Sequence, residues 1–180
     1  MSRSLVLDPT STVTSGAASA GPPLGEVSGR SIGFRFDIYW RSWDWVVEEW
    51  AVMASNDGAT VSQWEHCPPT GKGHGTMLAS LDEFLDGVDA TVIGMANCGS
   101  CTMWTIHDAL RSLDRGLPTL VAATEHFVDL ARALASRSGR ADIRVLTLPF
   151  PLEGRPEDEV RELARSLYSP MLDALGAVRQ

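Results

Sequence analysis

The residues best suited to chemistry are two cysteines three positions apart, in the run Asn97-Cys98-Gly99-Ser100-Cys101-Thr102. Thiols at this spacing can pass between dithiol and disulfide, provided the local backbone holds them together. Cys98 falls just ahead of a predicted helix, where unpaired N–H groups and the positive dipole end lower a thiol pKa from about 8.5 towards about 3.5–7.5. Cys98 is therefore the candidate nucleophile. Cys101, one turn on, is the candidate resolving thiol, able to attack a sulfur adduct on Cys98 and leave a disulfide. Gly99 is read as permitting a tight turn, and Ser100 and Thr102 as capping hydroxyls. The third cysteine, Cys67, lies in a separate loop. Three cysteines exclude a four-thiolate metal site, and Cys67, Cys98 and Cys101 with His66, His74 or His107 lack recognised ligand spacing. A Cys/His metal-binding protein remains an alternative reading.

A reactive pair needs a frame, and the hydrophobic pattern describes one. Strands are predicted at Ser31–Phe36, Ala59–Trp64, Ala90–Ala96, Pro118–Thr124 and Ile143–Leu148. Between and after them, helical spacing covers about 41–55, 76–86, 101–114, 125–136 and 157–175. Apolar strands alternating with single helices imply a parallel sheet covered on both faces. The expected fold is α/β, a single doubly wound (Rossmann/flavodoxin-like) domain over residues 31–180, with a mostly parallel sheet of about five strands. Residues 1–30 are expected as an N-terminal arm and flexible linker, because 11–30 are mostly Ser, Thr, Ala, Gly and Pro. Within that arm, Leu5-Val6-Leu7 reads as a tethered strand, an exchange arm or a frayed end.

In such a sheet ligands gather beyond the carboxyl ends of the strands. That rule directs attention to Asp37, the His66–Gly75 loop, Asn97 with Cys98, Glu125, and Pro149-Phe150-Pro151. Asp37 or Glu125 is a candidate proton donor. Lys72 is the one lysine among 15 basic residues and a candidate for holding an anionic group. Its loop, Thr70-Gly71-Lys72-Gly73-His74-Gly75, fails the G-x-x-x-x-G-K-[ST] pattern of a nucleotide P-loop. Trp104 projects away from the helix core one turn from Cys101, as a substrate lid or a protein interface. Tyr39, Trp40 and Trp43 are candidates to wall the same pocket, although Trp43 and Trp50 also fit helix-to-sheet packing. His107 reads as a boundary histidine capped by Asp108 or by a neighbouring loop.

Composition narrows the partners. The chain of 180 residues is 44% hydrophobic, enough for a core, and its net charge of −8 argues against nucleic acid and anionic membranes. The apolar run Leu5-Val6-Leu7 is too short for a signal peptide, and no segment approaches a membrane span of about 20 residues. A cytoplasmic location is expected.

Several segments together resemble the UGSC (seleno)protein family, named for a selenocysteine, often a cysteine, followed by Gly-Ser-Cys. They are Val88-Asp89-Ala90 through Asn97-Cys98-Gly99-Ser100-Cys101-Thr102, Trp104-Thr105, His107-Asp108-Ala109 and Gly116-Leu117-Pro118-Thr119. Leu5 to Thr10, Thr124-Glu125-His126-Phe127 and Pro149-Phe150-Pro151-Leu152 extend the resemblance over most of the chain. It implies that Cys98 occupies the selenocysteine position as the reactive chalcogen, with Cys101 its partner. Cysteine there implies a slower, less easily reduced centre than selenium. Phe150 replaces the histidine usual between the two prolines, and Asp37 to Trp45 is more aromatic than in relatives. Thioredoxin also pairs a C-x-x-C with a proline-led strand, but only one helix fits between Cys101 and Pro118.

These readings converge on a thiol-dependent redox or nucleophilic enzyme acting on a small substrate, without a bound cofactor and reset by an external thiol or dithiol. The alternative is an interaction protein, a small subunit of a larger redox or biosynthetic complex. An oligomer is expected in either case, as is a protein reductant or partner subunit.

Overall fold

A computed structural model of the chain describes residues 20–66 and 74–178. The loop containing Cys67 and Lys72, and the Leu5-Val6-Leu7 segment, lie outside the described residues. In chain order the elements are β1 (Gly25–Glu26), β2 (Ser31–Asp37), α1 (Arg41–Asn56), β3 (Thr60–His66), α2 (His74–Asp86) and β4 (Ala90–Ala96). They continue with α3 (Gly99–Asp114), β5 (Thr119–Thr124), a 3-10 turn (Glu125–Phe127), α4 (Val128–Arg137), β6 (Arg144–Leu148), α5 (Glu157–Leu175) and β7 (Ala177–Val178).

Five strands form one parallel sheet in the order β3-β2-β4-β5-β6. Numbered within the sheet this is 2-1-3-4-5, the flavodoxin-like doubly wound order, and the direction of winding reverses between β2 and β4. Every residue of β4 and β5 is buried, as central strands covered on both faces require. Helices α1 and α5 cover one face, where Trp43, Val46, Trp50, Val160, Ala164 and Met171 pack on Ile32, Phe34, Val92 and Leu120. On the other face, Ile106, Ala109 and Leu113 of α3 and Ala131 and Ala135 of α4 pack on Ile93 and Val121. Leu81 and Leu85 of α2 meet Trp64.

Gly94 shows how closely the α1 layer approaches the sheet. A Cβ at this position would lie 2.3 Å from the Trp43 ring, and that ring is fixed by its indole N–H, which donates to the Arg35 carbonyl at 3.1 Å. Only glycine fits without moving a buried tryptophan.

Residues 20–30 differ from the flexible linker expected for them. Leu24 and Val27 are in the core, Leu24 N–H donates to the Leu175 carbonyl at 2.9 Å, and β1 pairs with β7 in parallel. Gly176 makes this closure possible, since it ends α5 with φ of 71° and its missing Cβ leaves room for Pro23. A segment poor in apolar residues is thus ordered by two core side chains and a borrowed strand edge. Among the described residues no helix is long and apolar enough to cross a membrane.

Candidate functional site

The reversal between β2 and β4 opens a cleft of about 480 Å³ at the carboxyl ends of the strands. Its lining comes from three neighbouring strand ends. Arg35 and Asp37 belong to β2 and Tyr39 and Trp40 follow it, His66 ends β3, and Cys98, Ser100, Cys101 and Trp104 come from the β4–α3 junction and α3. The volume suits a small molecule.

Cys98 and Cys101 are joined as a disulfide, with Cα atoms 5.2 Å apart. Cys98 is the N-cap of α3 in an extended conformation, and its sulfur accepts the Cys101 N–H at 3.1 Å. The Ser100 hydroxyl is 3.5 Å from the same sulfur. Thr102, fully buried, donates its hydroxyl to the Cys98 carbonyl at 2.6 Å and so pins the turn from inside. Gly99 has no such role: its φ is not positive and a Cβ there would meet nothing, so the expected need for a tight glycine turn is not found. What glycine leaves is an uncovered approach beside the sulfurs. Both cysteines line the cleft, and Cys98, half-buried, is the more exposed residue of the two, Cys101 being 9% exposed.

Behind the disulfide is a buried charged cluster. Arg35, an arginine in the middle of an apolar strand, donates Nε to Asp108 Oδ2 at 3.0 Å and Nη1 to Asp37 Oδ2 at 3.2 Å and to the Gly94 carbonyl at 2.8 Å. The second oxygen of Asp37 accepts the Tyr39 N–H at 3.0 Å. Asp108 also lies 3.0 Å from His66 Nδ1 and 3.1 Å from His107 Nδ1. The two carboxylates have opposite proton affinities. Burial pushes the Asp37 carboxyl above its usual range, against the lowering effects of the Tyr39 N–H and of Arg35. Burial opposes ionisation of Asp108 too, but His107, His66 and the Arg35 charge outweigh it and hold this carboxyl well below the usual range.

The aromatic candidates divide. Tyr39, Trp40 and Trp104 line the cleft, whereas Trp43 is fully buried in the α1 layer. Trp104 is half-buried, its ring 5.2 Å from His66 and 5.7 Å from His107. It forms a wall of the cleft. Asn97 is buried and accepts the Thr124 hydroxyl at 2.8 Å, tying the end of β4 to that of β5. Glu125, a candidate proton donor by its strand-end position, is exposed in the 3-10 turn and is not among the lining residues. Phe150 is likewise elsewhere, its ring tilted against that of His126 with centroids 4.0 Å apart. Arg35, His66 and Asp108 carry much of the site's polarity, and only His66 stood at a strand end where the rim rule directs attention. An arginine inside the run Ser31-Ile32-Gly33-Phe34-Arg35-Phe36 was the available signal for a buried partner. Among the described residues no three His, Cys, Asp or Glu side chains form a group fit for a metal ion.

In flavodoxins this switch point holds FMN. The residues here do not fit its phosphate. The β2–α1 connection, Ile38-Tyr39-Trp40, carries no glycine, serine or threonine. The first turn of α1 is already occupied by a carboxylate, since Ser42 donates its N–H to Glu153 Oε2 at 3.1 Å and its hydroxyl at 2.7 Å.

A flavodoxin-like α/β sheet with a C-x-x-C disulfide at its switch point defines the class of this protein. The sequence matches the model of the UGSC family over residues 5–177, and the chain belongs to that family. No curated protein matches it. Among solved structures, similarity is found to a mutant flavo di-iron protein from Thermotoga maritima, with 12% identity and a TM-score of 0.48, covering 82% of this chain and 37% of that one. A flavone reductase gives 15% identity and 0.45 over 81% of this chain and 62% of the other. A short-chain flavodoxin associated with a bacterial microcompartment gives 12% and 0.41 over 78% and 98%. This chain thus spans little more than a third of the first of these proteins. At these identities and TM-scores, no function passes from them to this chain.

Proposed function

We propose that the protein is a dithiol–disulfide enzyme that reduces a small electrophilic substrate in the switch-point cleft, with Cys98 as attacking sulfur and Cys101 as resolving sulfur. The observation that carries this reading is the Cys98–Cys101 bond at the N-terminus of α3, lining a cleft beside Asp37.

In the reduced protein, the helix N-terminus and the Cys101 N–H favour a thiolate on Cys98. For a disulfide substrate R–S–S–R′, the Cys98 thiolate attacks one sulfur, forming Cys98–S–S–R and releasing R′S⁻, which takes a proton from Asp37. Cys101, as its proton leaves, attacks the Cys98 sulfur, forming the intramolecular disulfide and releasing RS⁻, which is protonated in turn. Two electrons pass from the cysteine pair to the substrate, and an external thiol or dithiol returns them. Asp37 lines the cleft beside the cysteine pair, and burial shifts its carboxyl towards the protonated form that a donor needs. Lys72 is assigned to holding an anionic group of the substrate.

The test uses Cys101→Ser, which removes resolution and leaves attack. Reduced variant mixed with bis(2-hydroxyethyl) disulfide should accumulate a mixed disulfide on Cys98, located by peptide mass spectrometry. An adduct on Cys67, or none, overturns the reading.

A further inference from the structure

His66 lines the cleft, and nothing above gives it a task. It is 1% exposed, its Nδ1 stands 3.0 Å from Asp108 Oδ2, and among the described residues neither ring nitrogen makes a hydrogen bond. Leaving a buried polar atom unpaired is unfavourable, so such a vacancy in a cleft wall is a place for a ligand atom. The ring is held edge-on to Trp64 at 5.7 Å and tilted against Trp104 at 5.2 Å. Its charged surroundings are Asp108 and His107 from α3 and Arg35 and Asp37 from β2. Asp108 is kept ionised by Arg35 and the histidines. The negative charge 3.0 Å from Nδ1 favours the tautomer that carries its proton there, which leaves the Nε2 lone pair as acceptor.

The chemistry needs this group. Reducing R–S–S–R′ to RSH and R′SH delivers two protons to two departing sulfurs in succession, and Asp37 gives its proton to the first. We infer that His66 is the second proton-transfer residue of the cleft: Nε2 accepts the Cys101 proton as Cys101 attacks, then returns it to the departing RS⁻, while Asp108 is its positioning residue. Atoms balance, since the Cys98 proton goes to solvent when that thiol ionises and Asp37 is recharged from solvent. The inference rests on the dithiol reading and extends it to substrates whose departing thiols are poorly acidic. Leaving-group acidity controls thiol–disulfide exchange, so proton delivery matters for an alkyl thiol and hardly at all for an aromatic thiolate.

The experiment compares two probes in single turnover with reduced wild type and His66→Gln. Bis(2-hydroxyethyl) disulfide releases an alkyl thiol, and 5,5′-dithiobis(2-nitrobenzoate) releases an aromatic thiolate. The variant should slow the first by about 10²-fold, the low end of general acid–base effects, and leave the second nearly unchanged. A merely structural histidine predicts equal slowing of both, and a bystander predicts no slowing; either result overturns the role. Should the variant fail to fold, nitrogen-15 shifts of His66 in the wild type decide: the Nδ1–H tautomer supports the role and the Nε2–H tautomer overturns it. A wild type that reduces neither probe removes the dithiol reading and this role with it, whereas equal slowing removes the role alone.

Discussion

Helices α1 and α3 are both 16 residues long and start at the carboxyl ends of the two strands that flank the switch point. Their N-termini are treated differently. At α1 the chain supplies its own anion, Glu153, which accepts two hydrogen bonds from Ser42. At α3 the cap is the sulfur of Cys98, half-buried and facing the cleft. The same electrostatic feature is satisfied by a carboxylate at one end and by a cysteine sulfur at the other. Under the proposed function, the helix start that serves chemistry is the one whose capping atom can change its charge and reach a substrate.

The largest way to break this contrast is to remove the sulfur. Cys98→Ser should abolish reduction of a small disulfide, measured as thiol release, while circular dichroism keeps the native fold. Next is the cluster supporting that end of the sheet. Asp108→Asn leaves the buried Arg35 and His66 without their shared carboxylate and should cost about 3–5 kcal/mol by denaturant titration. Because the folded Asp108 pKa is lowered, this stabilisation is present above the ordinary value of 3.8 and is lost as pH falls below it.

Asp37→Asn should slow disulfide reduction by about 10²-fold, read in single turnover. The raised pKa of Asp37 has the opposite linkage: ionising it in the folded protein lowers stability as pH rises past 3.8. The variant's stability should therefore fall less over that interval. The smallest effect belongs to the internally satisfied helix. Glu153→Ala should cost about 0.5–2 kcal/mol, as loss of a cap does, and leave Cys98 alkylation unchanged.

The fold was legible because its signals are local. Apolar runs mark β4 and β5 end to end, and Trp43, Val46, Val47, Trp50 and Ala54 repeat at helical spacing on α1. The cysteine pair, Asp37 and the aromatic wall were legible for a related reason, since strand ends in a parallel sheet share one rim. The buried cluster was not. Arg35, His66 and Asp108 come from three elements, and their meaning lies in distances across the sheet that no local pattern encodes. Residues 20–30 depart from a flexible linker because composition counts apolar residues without showing that Leu24 and Val27 reach the core. Glu125 shows the limit of the rim argument: a residue can end a strand at the functional edge and still face solvent.

The central claim is that Cys98 is a thiolate nucleophile at neutral pH. Alkylation of the reduced protein by iodoacetamide at graded pH, read residue by residue by mass spectrometry, tests it directly. The account predicts that Cys98 reacts with a midpoint well below the free-thiol value of about 8.5 and outpaces Cys67 near neutrality. Equal rates at Cys98 and Cys67 near neutral pH would contradict it.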